Sequence, residues 1–227
     1  MTAKDMFSHR VSILTGHYGT GKTEFSVNLA LALAAEGEQV MLADLDIVNP
    51  YFRSRERRPL LEKAGVRVIS SSQACSDADV PALPAELLTI LENREIRGIL
   101  DIGGDPVGAR VLARFQPKIV QEDYQLIFVL NANRPEVRDA ESAAAYLRSI
   151  EAVTGLTCSG LVNNTHLCGE TTPAEIRKGA ALAQEVSRQT GIPILCHTAE
   201  RRFLESLSDL GEPVFPIAIN MKKPWER

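Results

Sequence analysis

Short apolar runs alternate along the chain with longer segments in which apolar residues recur at helical spacing. The apolar runs predict strands at 11–14, 40–43, 66–70, 96–102, 126–130, 156–162, 192–196 and 214–219. The helical spacing predicts helices at 24–36, 84–93, 105–115, 135–151, 172–189 and 199–207. This alternation favours parallel strands joined by right-handed crossovers. We therefore predict an α/β fold, a three-layer α/β/α sandwich whose mostly parallel, twisted sheet has about seven or eight strands.

Local signals predict where several helices begin and end. Gly37 follows the first long helix, in the position where glycine commonly ends a helix in the left-handed conformation. Asp105 and Thr172 each precede a proline, so each is predicted to be an N-cap with proline at the first helical position. Glu175 completes a capping box with Thr172. Thr198 is predicted to cap the last helix.

The composition is that of one ordinary globular domain. Of the 227 residues, 44% are hydrophobic and 24% are charged, and no linker divides them, so we predict a single domain over 1–227. The net charge of −4 gives no basic footprint for nucleic acid. The polar first ten residues and the lack of a long apolar run predict no signal peptide and no membrane partner, and hence a cytoplasmic protein. The cysteines are scattered and are expected to be reduced thiols: Cys75, Cys158, Cys168 and Cys196.

A glycine-rich motif between the first strand and the first long helix carries the strongest functional signal. It reads G-x-x-x-x-G-K-T, and its strand–loop–helix context is that of a phosphate cradle. Its lysine is expected to reach the β- and γ-phosphates of a nucleotide, and its threonine to take a Mg²⁺ coordination position. The alternative is a glycine-rich turn that fits the pattern by chance. The candidate binding residues are Gly16, His17, Tyr18, Gly19, Thr20, Gly21, Lys22 and Thr23.

Carboxylates follow two of the predicted strands, and ligands of parallel sheets bind at that edge. Asp101 ends one strand and is a candidate magnesium ligand, the alternative being a helix cap. Asp44 and Asp46 follow another strand two positions apart, so one could support Mg²⁺ while the other orients an attacking water. A solvated acidic turn is the alternative for this pair. Gly104 leaves the backbone free to approach a γ-phosphate.

Polar residues follow two later strands. Asn163 and Asn164 could hydrogen-bond the edge of a base, although asparagine is also a common turn residue. His197 could lie beside the same base.

These motifs together resemble the SIMIBI class of P-loop NTPases, specifically the CobQ/CobB/MinD/ParA nucleotide-binding family. The resemblance implies ATP and Mg²⁺ as ligands, Lys22 as a catalytic residue and slow ATPase activity. It also implies that Asp46 places the hydrolytic water, that Asp101 holds the metal through water, and that Asn163 or Asn164 contacts adenine.

One position departs from the family pattern. MinD and ParA proteins usually carry a second lysine after the first glycine of the loop, which reaches the nucleotide of a partner subunit, and here that position is His17. Imidazole is shorter than the lysine side chain and mostly uncharged at pH 7, so His17 does not favour the nucleotide-sandwich dimer of that family, and a homodimer is one of the possible states. Arg53 or Arg134 could supply the missing cation.

Three functions are compatible with these residues. The first is a nucleotide switch that acts on an unidentified partner protein. The second is an ATP-dependent kinase or amide-forming enzyme, whose small acceptor would lie near the polar segment 71–83. The third is an ATPase that helps to assemble a metal centre. The basic run 53–58 is either a solvated face or part of the switch, and His166 with Cys168 is a weak metal-ligand pair.

Overall fold

The computed structural model describes residues 1–46, 54–70 and 86–221. The strands are β1 (Val11–Thr15), β2 (Gln39–Leu45), β3 (Arg67–Ser70), β4 (Ile96–Ile102), β5 (Tyr124–Leu130), β6 (Cys158–Asn163), β7 (Ile194–Glu200) and β8 (Val214–Ile217). The helices are α1 (Ala3–Met6), α2 (Lys22–Ala35), α3 (Arg58–Lys63), α4 (Glu86–Glu92), α5 (Pro106–Ala109), α6 (Gln116–Ile119), α7 (Ala140–Thr154) and α8 (Pro173–Thr190).

The strands form one sheet in the order β3-β2-β4-β1-β5-β6-β7-β8. Every pairing between neighbouring strands is parallel. The sheet therefore places the carboxyl ends of all its strands at one edge. β1 lies at the centre of the sheet, so the loop that follows it is flanked by the ends of β4 and β5. This confirms the predicted parallel α/β fold.

Both faces of the sheet are covered by helices. Alternate residues of β1 divide between two apolar layers, with Ile13 facing the side of α7 and α8 and Leu14 facing the side of α2. On the α2 side, three aromatic rings pack edge to face with centroids 5.6–5.8 Å apart: Phe7, Phe25 and Phe215. The central strands are buried on both faces, which explains their continuous apolar sequences.

The predicted helix over 199–207 is wrong. Ala199 and Glu200 extend β7, and two short 3₁₀ turns follow at Arg201–Phe203 and Glu205–Leu207. β7 pairs with β8 as far as Glu200, so the ladder and burial override the helical pattern. Thr198 consequently lies within the strand rather than at an N-cap.

Two other helices are shorter than predicted. Asp105 caps α5 as expected, accepting a hydrogen bond from Gly108 N at 2.5 Å, but α5 gives way to a 3₁₀ turn at Arg110–Arg114. The segment after β5 begins with a 3₁₀ turn at Pro135–Val137, and α7 then starts behind its own cap, Asp139. The Thr172 cap is confirmed by its hydrogen bond from Glu175 N.

The short helix α1 was not predicted. Thr2 and Asp5 form a reciprocal capping box at its start. A helix of only four residues has too little periodicity for its sequence to be told apart from that of a polar, irregular segment. None of the helices in the described ranges is long and apolar enough to cross a bilayer.

Candidate nucleotide-binding site

The phosphate loop, residues 16–23, connects β1 to α2 with an unusual backbone. Gly16, Gly19 and Gly21 have φ angles of 141°, 73° and 84°, in the region that favours glycine. Gly21 is also the N-cap of α2, and none of the side chains in the described ranges caps this helix. The amides of the first turn are therefore left to bind an anion, as helix N-termini do.

Close packing holds the backbone of the phosphate loop in this geometry. A methyl group on Gly16 would overlap the carbonyl oxygen of Val129, and one on Gly21 would overlap the amide of Asn164. The loop is thus held against the ends of β5 and β6, and only a residue without a side chain fits at these two positions.

Lys22 is buried at the base of the loop. Its Nζ donates to the carbonyl oxygen of His17 at 3.3 Å. Burial lowers the pKa of Lys22, and the charges of Asp101, Asp46 and Asp105, in that order, oppose this shift. The lysine therefore lies among three carboxylates, in a position to meet a phosphate group.

Asp101 and Asp44 lie side by side because β2 and β4 pair them in register. Asp101 is only 1% exposed, and burial raises its pKa to about 7, with the charge of Asp44 adding to the effect. Lys22 and Thr23 lower the pKa of Asp101. Among the described residues, however, no group makes a well-formed hydrogen bond to either oxygen of Asp101.

This arrangement fits a divalent cation. A buried carboxylate that accepts no well-formed hydrogen bond from the described residues, beside a second carboxylate and the threonine hydroxyl, supplies the oxygen ligands that Mg²⁺ prefers. The described ranges contain no cage of three or more His, Cys, Asp or Glu side chains. A magnesium ion would therefore share its coordination with water and phosphate, as is usual for this ion.

The glycine turn, Gly103–Asp105, follows β4 and packs against the phosphate loop. A methyl group on Gly104 would lie 2.8 Å from Lys22 Nζ and 3.0 Å from Tyr18 N. One on Gly103 would lie 3.4 Å from Asp46 Oδ1. The glycine turn thus lies directly beside the amino group of Lys22 and the carboxylate of Asp46.

Two tyrosines hold the glycine turn. Tyr18 donates to Asp105 Oδ2 at 2.6 Å, and Tyr146 of α7 donates to the carbonyl oxygen of Gly104. The His17 ring lies against both, with centroids 4.9 Å from Tyr146 and 6.0 Å from Tyr18. The sequence did not predict a role for Tyr146, because a tyrosine in a helical pattern does not reveal which group its hydroxyl will bond to.

The three polar residues predicted beside a base have different surroundings. Asn164 donates to the carbonyl oxygens of Thr20 (2.8 Å) and Gly21 (3.2 Å) and accepts from Thr198 Oγ1 (2.6 Å). It therefore braces the phosphate loop.

Asn163 and His197 are fully buried and bond to each other. Asn163 Nδ2 donates to the carbonyl oxygen of Ile176 at 3.0 Å and lies 3.2 Å from His197 Nδ1. His197 Nε2 lies 3.1 Å from Glu212 Oε2. If Asn163 donates to Nδ1, the imidazole proton is on Nε2 and faces the carboxylate. Contact between these two residues and a base would require this network to open.

Arg134 reaches the phosphate loop from the end of β5. Its Nε donates to the carbonyl oxygen of Gly19 at 2.7 Å. His166 lies on the other side of the loop, close to Gly21, and burial lowers its pKa. The backbone N of Cys168 donates to His166 Nδ1 at 3.3 Å, so one nitrogen of this imidazole is already occupied by the chain itself.

The family model for the CobQ/CobB/MinD/ParA nucleotide-binding domain matches residues 11–215. This chain belongs to that family. Membership confirms the resemblance drawn from the phosphate loop and places the chain in the SIMIBI class of P-loop NTPases.

Relatives and solved structures agree with this placement. The septum site-determining protein MinD of Helicobacter pylori is 24% identical over 239 residues, which cover 96% of this chain and 87% of that protein. FtsY of Thermotoga maritima aligns with a TM-score of 0.55 and 22% identity, over 81% of this chain and 59% of that chain. The 54 kDa signal recognition particle protein of Aeropyrum pernix K1, crystallised with GDP, aligns with a TM-score of 0.52 and 22% identity, over 82% of this chain and 40% of that chain. The chain thus spans about half the length of these two structures, and the likeness shows a shared fold.

His17 takes the position at which the family resemblance predicts a second lysine. Here the imidazole Nδ1 lies 3.8 Å from Glu136 Oε2 and the ring packs on Tyr146. Of the two arginines suggested in place of the family's second lysine, Arg134 contacts the loop and Arg53 lies outside the described residues. The segment 71–83, suggested for an acceptor, also lies outside them.

Proposed function

We propose that this protein binds ATP with Mg²⁺, hydrolyses it slowly and uses the nucleotide state to change its contacts with a partner protein. One observation supports this best: the buried, donor-poor Asp101 lies beside Lys22 and Thr23 at the start of an uncapped helix. Such a site favours a ligand that brings both a divalent cation and negatively charged oxygens.

Each residue of the site has a role in this proposal. The amides of the phosphate loop and Lys22 bind and orient the phosphates. Thr23, Asp44 and Asp101 would hold Mg²⁺, which when bound neutralises the charge of the phosphates. Asp46, whose carboxylate lies close to Gly103, would orient the attacking water.

The glycine turn provides the proposed link between nucleotide and partner. Gly104 lies close to Lys22 Nζ, where a γ-phosphate would need room. Its carbonyl oxygen is tied to Tyr146, so a displaced turn would pull on α7 or break this hydrogen bond. α7 packs against α8. A movement of α7 would alter the surface that the two helices present, and a partner protein could bind this surface differently in each nucleotide state.

The first experiment compares two variants of the site. Lys22→Ala should remove most nucleotide affinity in calorimetry. Asp46→Ala should keep the affinity but lower phosphate release about a hundredfold, the size typical of an orienting group. Lys118→Ala, at an exposed residue paired with Glu92, is the control and should match the wild type. Unchanged turnover in Asp46→Ala would remove that residue from the mechanism, and unchanged affinity in Lys22→Ala would contradict the site itself.

The second candidate is a kinase or amide-forming enzyme whose small acceptor would lie in a cleft beside the phosphate loop, lined by Arg134, Arg138 and Lys178 among others. The two candidates differ in one assay, since an enzyme of this kind turns over ATP poorly until its acceptor is added. The metal-centre role has less support. Cys158 and Cys196 are buried, and burial raises the pKa of both thiols, to about 12 in the case of Cys158.

A further inference from the structure

We propose that a cleft beside the phosphate loop binds a small organic anion, a molecule with a carboxylate or phosphate group on a modest apolar body. The cleft, here called the basic cleft, is lined by Asn133, Arg134, Pro135, Arg138, Leu167 and Lys178, among others. Its volume is about 630 Å³, within the range of small-molecule sites. Binding of this anion does not require that the protein hydrolyse ATP. Only the expectation that the anion and a nucleotide bind side by side rests on the function proposed above.

Three elements meet at the basic cleft. Asn133, Arg134 and Pro135 come from the segment after β5, and Arg138 precedes the first turn of α7. Leu167 lies in the loop after β6, and Lys178 in the second turn of α8. Because these segments follow neighbouring parallel strands, the cleft opens at the same edge of the sheet as the phosphate loop.

The charge of the basic cleft is positive in a chain whose net charge is −4. Arg134, Arg138 and Lys178 line it, and of the described residues in its lining only Asp139 is acidic. Asp139 Oδ1 already accepts the cap hydrogen bond from Ser142 N at 2.8 Å, and Oδ2 lies 3.9 Å from Arg138 Nε. One partly occupied carboxylate therefore faces three cations, which favours an anionic ligand.

An amide donor in the cleft also lacks an acceptor. Lys178 Nζ donates to Asn133 Oδ1 at 2.8 Å, which fixes which end of the amide is the oxygen. The opposite end, Asn133 Nδ2, is buried and has no hydrogen-bond partner among the described residues. A buried donor without an acceptor is unfavourable, so a small rotation of the Asn133 side chain that brings Nδ2 to a bound carboxylate or phosphate oxygen would be favourable.

Arg134 connects the basic cleft to the phosphate loop. Its Nε is used by the carbonyl oxygen of Gly19, whereas the described residues supply no hydrogen bond to its terminal nitrogens. These nitrogens can bind an anion in the bidentate geometry that arginine favours. Pro135 and Leu167, the latter 43% exposed, offer the apolar surface for the rest of the ligand.

The test is calorimetry on the full chain with two probes, glutarate and phenyl phosphate, which separate a carboxylate from a phosphate ester as the source of the anion. We expect saturable 1:1 binding of at least one probe. Arg138→Gln and Lys178→Gln should each weaken it about tenfold, the size of a lost charge-assisted hydrogen bond. Lys118→Gln removes an exposed lysine of α6 that pairs with Glu92 and is not among the residues that line the cleft, so it should leave the affinity unchanged.

A second titration adds a non-hydrolysable ATP analogue with Mg²⁺ and should leave the stoichiometry of the probe unchanged. Loss of probe binding there would mean that the probe enters the phosphate loop, and would overturn the proposal. Saturable binding of neither probe, or wild-type affinity in Lys178→Gln, would overturn it too. So would binding of a glutamate-rich peptide without either probe, which would make the cleft a protein-docking surface. Failure of nucleotide binding alone would leave the first titration valid.

Discussion

The substitution Asp101→Asn should make the metal-free protein more stable. In the folded chain, burial and the charge of Asp44 raise the pKa of Asp101 from 3.8 to about 7. The folded state therefore binds a proton at this carboxyl more tightly than the unfolded state does. The resulting stabilisation is present at low pH and is lost as the pH rises from about 4 to 7. Asparagine has a similar shape and no charge to bury.

The size of the effect follows from the shift. A difference of about 3 pKa units corresponds to roughly 4 kcal/mol at about 1.4 kcal/mol per unit. The variant should thus exceed the wild type by about 4 kcal/mol at pH 8, but by only about 2 kcal/mol at pH 5. Added Mg²⁺ should stabilise the wild type and not the variant, because the carboxylate that would hold it is gone.

The assay is urea unfolding in EDTA at several pH values between 5 and 8. Asp209→Asn is the control, since Asp209 is an exposed partner of Arg177 at 2.7 Å and its substitution should leave stability nearly unchanged at every pH. A stability difference for Asp101→Asn that is absent at pH 8, or that does not grow with pH, would refute the reasoning.

Three further predictions concern residues around the phosphate loop and the glycine turn. Asn164→Ala should lower stability by about 2–3 kcal/mol, measured by urea unfolding, because two loop carbonyls and the Thr198 hydroxyl lose their partner; wild-type stability would contradict this. Gly179→Ala should cost about 1–3 kcal/mol in the same assay, since its methyl group would overlap Thr165 Oγ1, whereas Gly169→Ala has open space and should be neutral. Tyr146→Phe should keep ATP affinity in calorimetry but alter hydrogen exchange in α7 on nucleotide binding; an exchange pattern identical to that of the wild type would show that the hydroxyl transmits nothing.

Local patterns were enough to predict most of the fold. Every predicted strand is present, because each is a short segment rich in apolar residues that the sheet and its covering helices bury. The failures occur where tertiary packing competes with a local pattern. Residues 199–200 have a helical pattern, but the neighbouring β8 offers a ladder that extends β7.

The candidate site divides in the same way. The phosphate loop could be predicted because the glycines, Lys22 and Thr23 are contiguous in the sequence, although the contacts with Val129 and Asn164 that hold the loop could not. The carboxylates Asp44 and Asp101 could be expected at one sheet edge, since strand ends meet there. That β2 and β4 are neighbours, which places these two side by side, is a matter of strand order that sequence does not reveal.

The sequence alone therefore determined the fold class, the phosphate loop and the acidic strand ends, since these depend on local periodicity and on contiguous residues. Tertiary structure alone decided that Asn164 braces the loop while Asn163 is turned into a buried network with His197. It also brought Arg134, Arg138 and Lys178 to one cleft. The physical reason is that such contacts join residues far apart in the chain, and their geometry is fixed only when the whole sheet and its helices are packed.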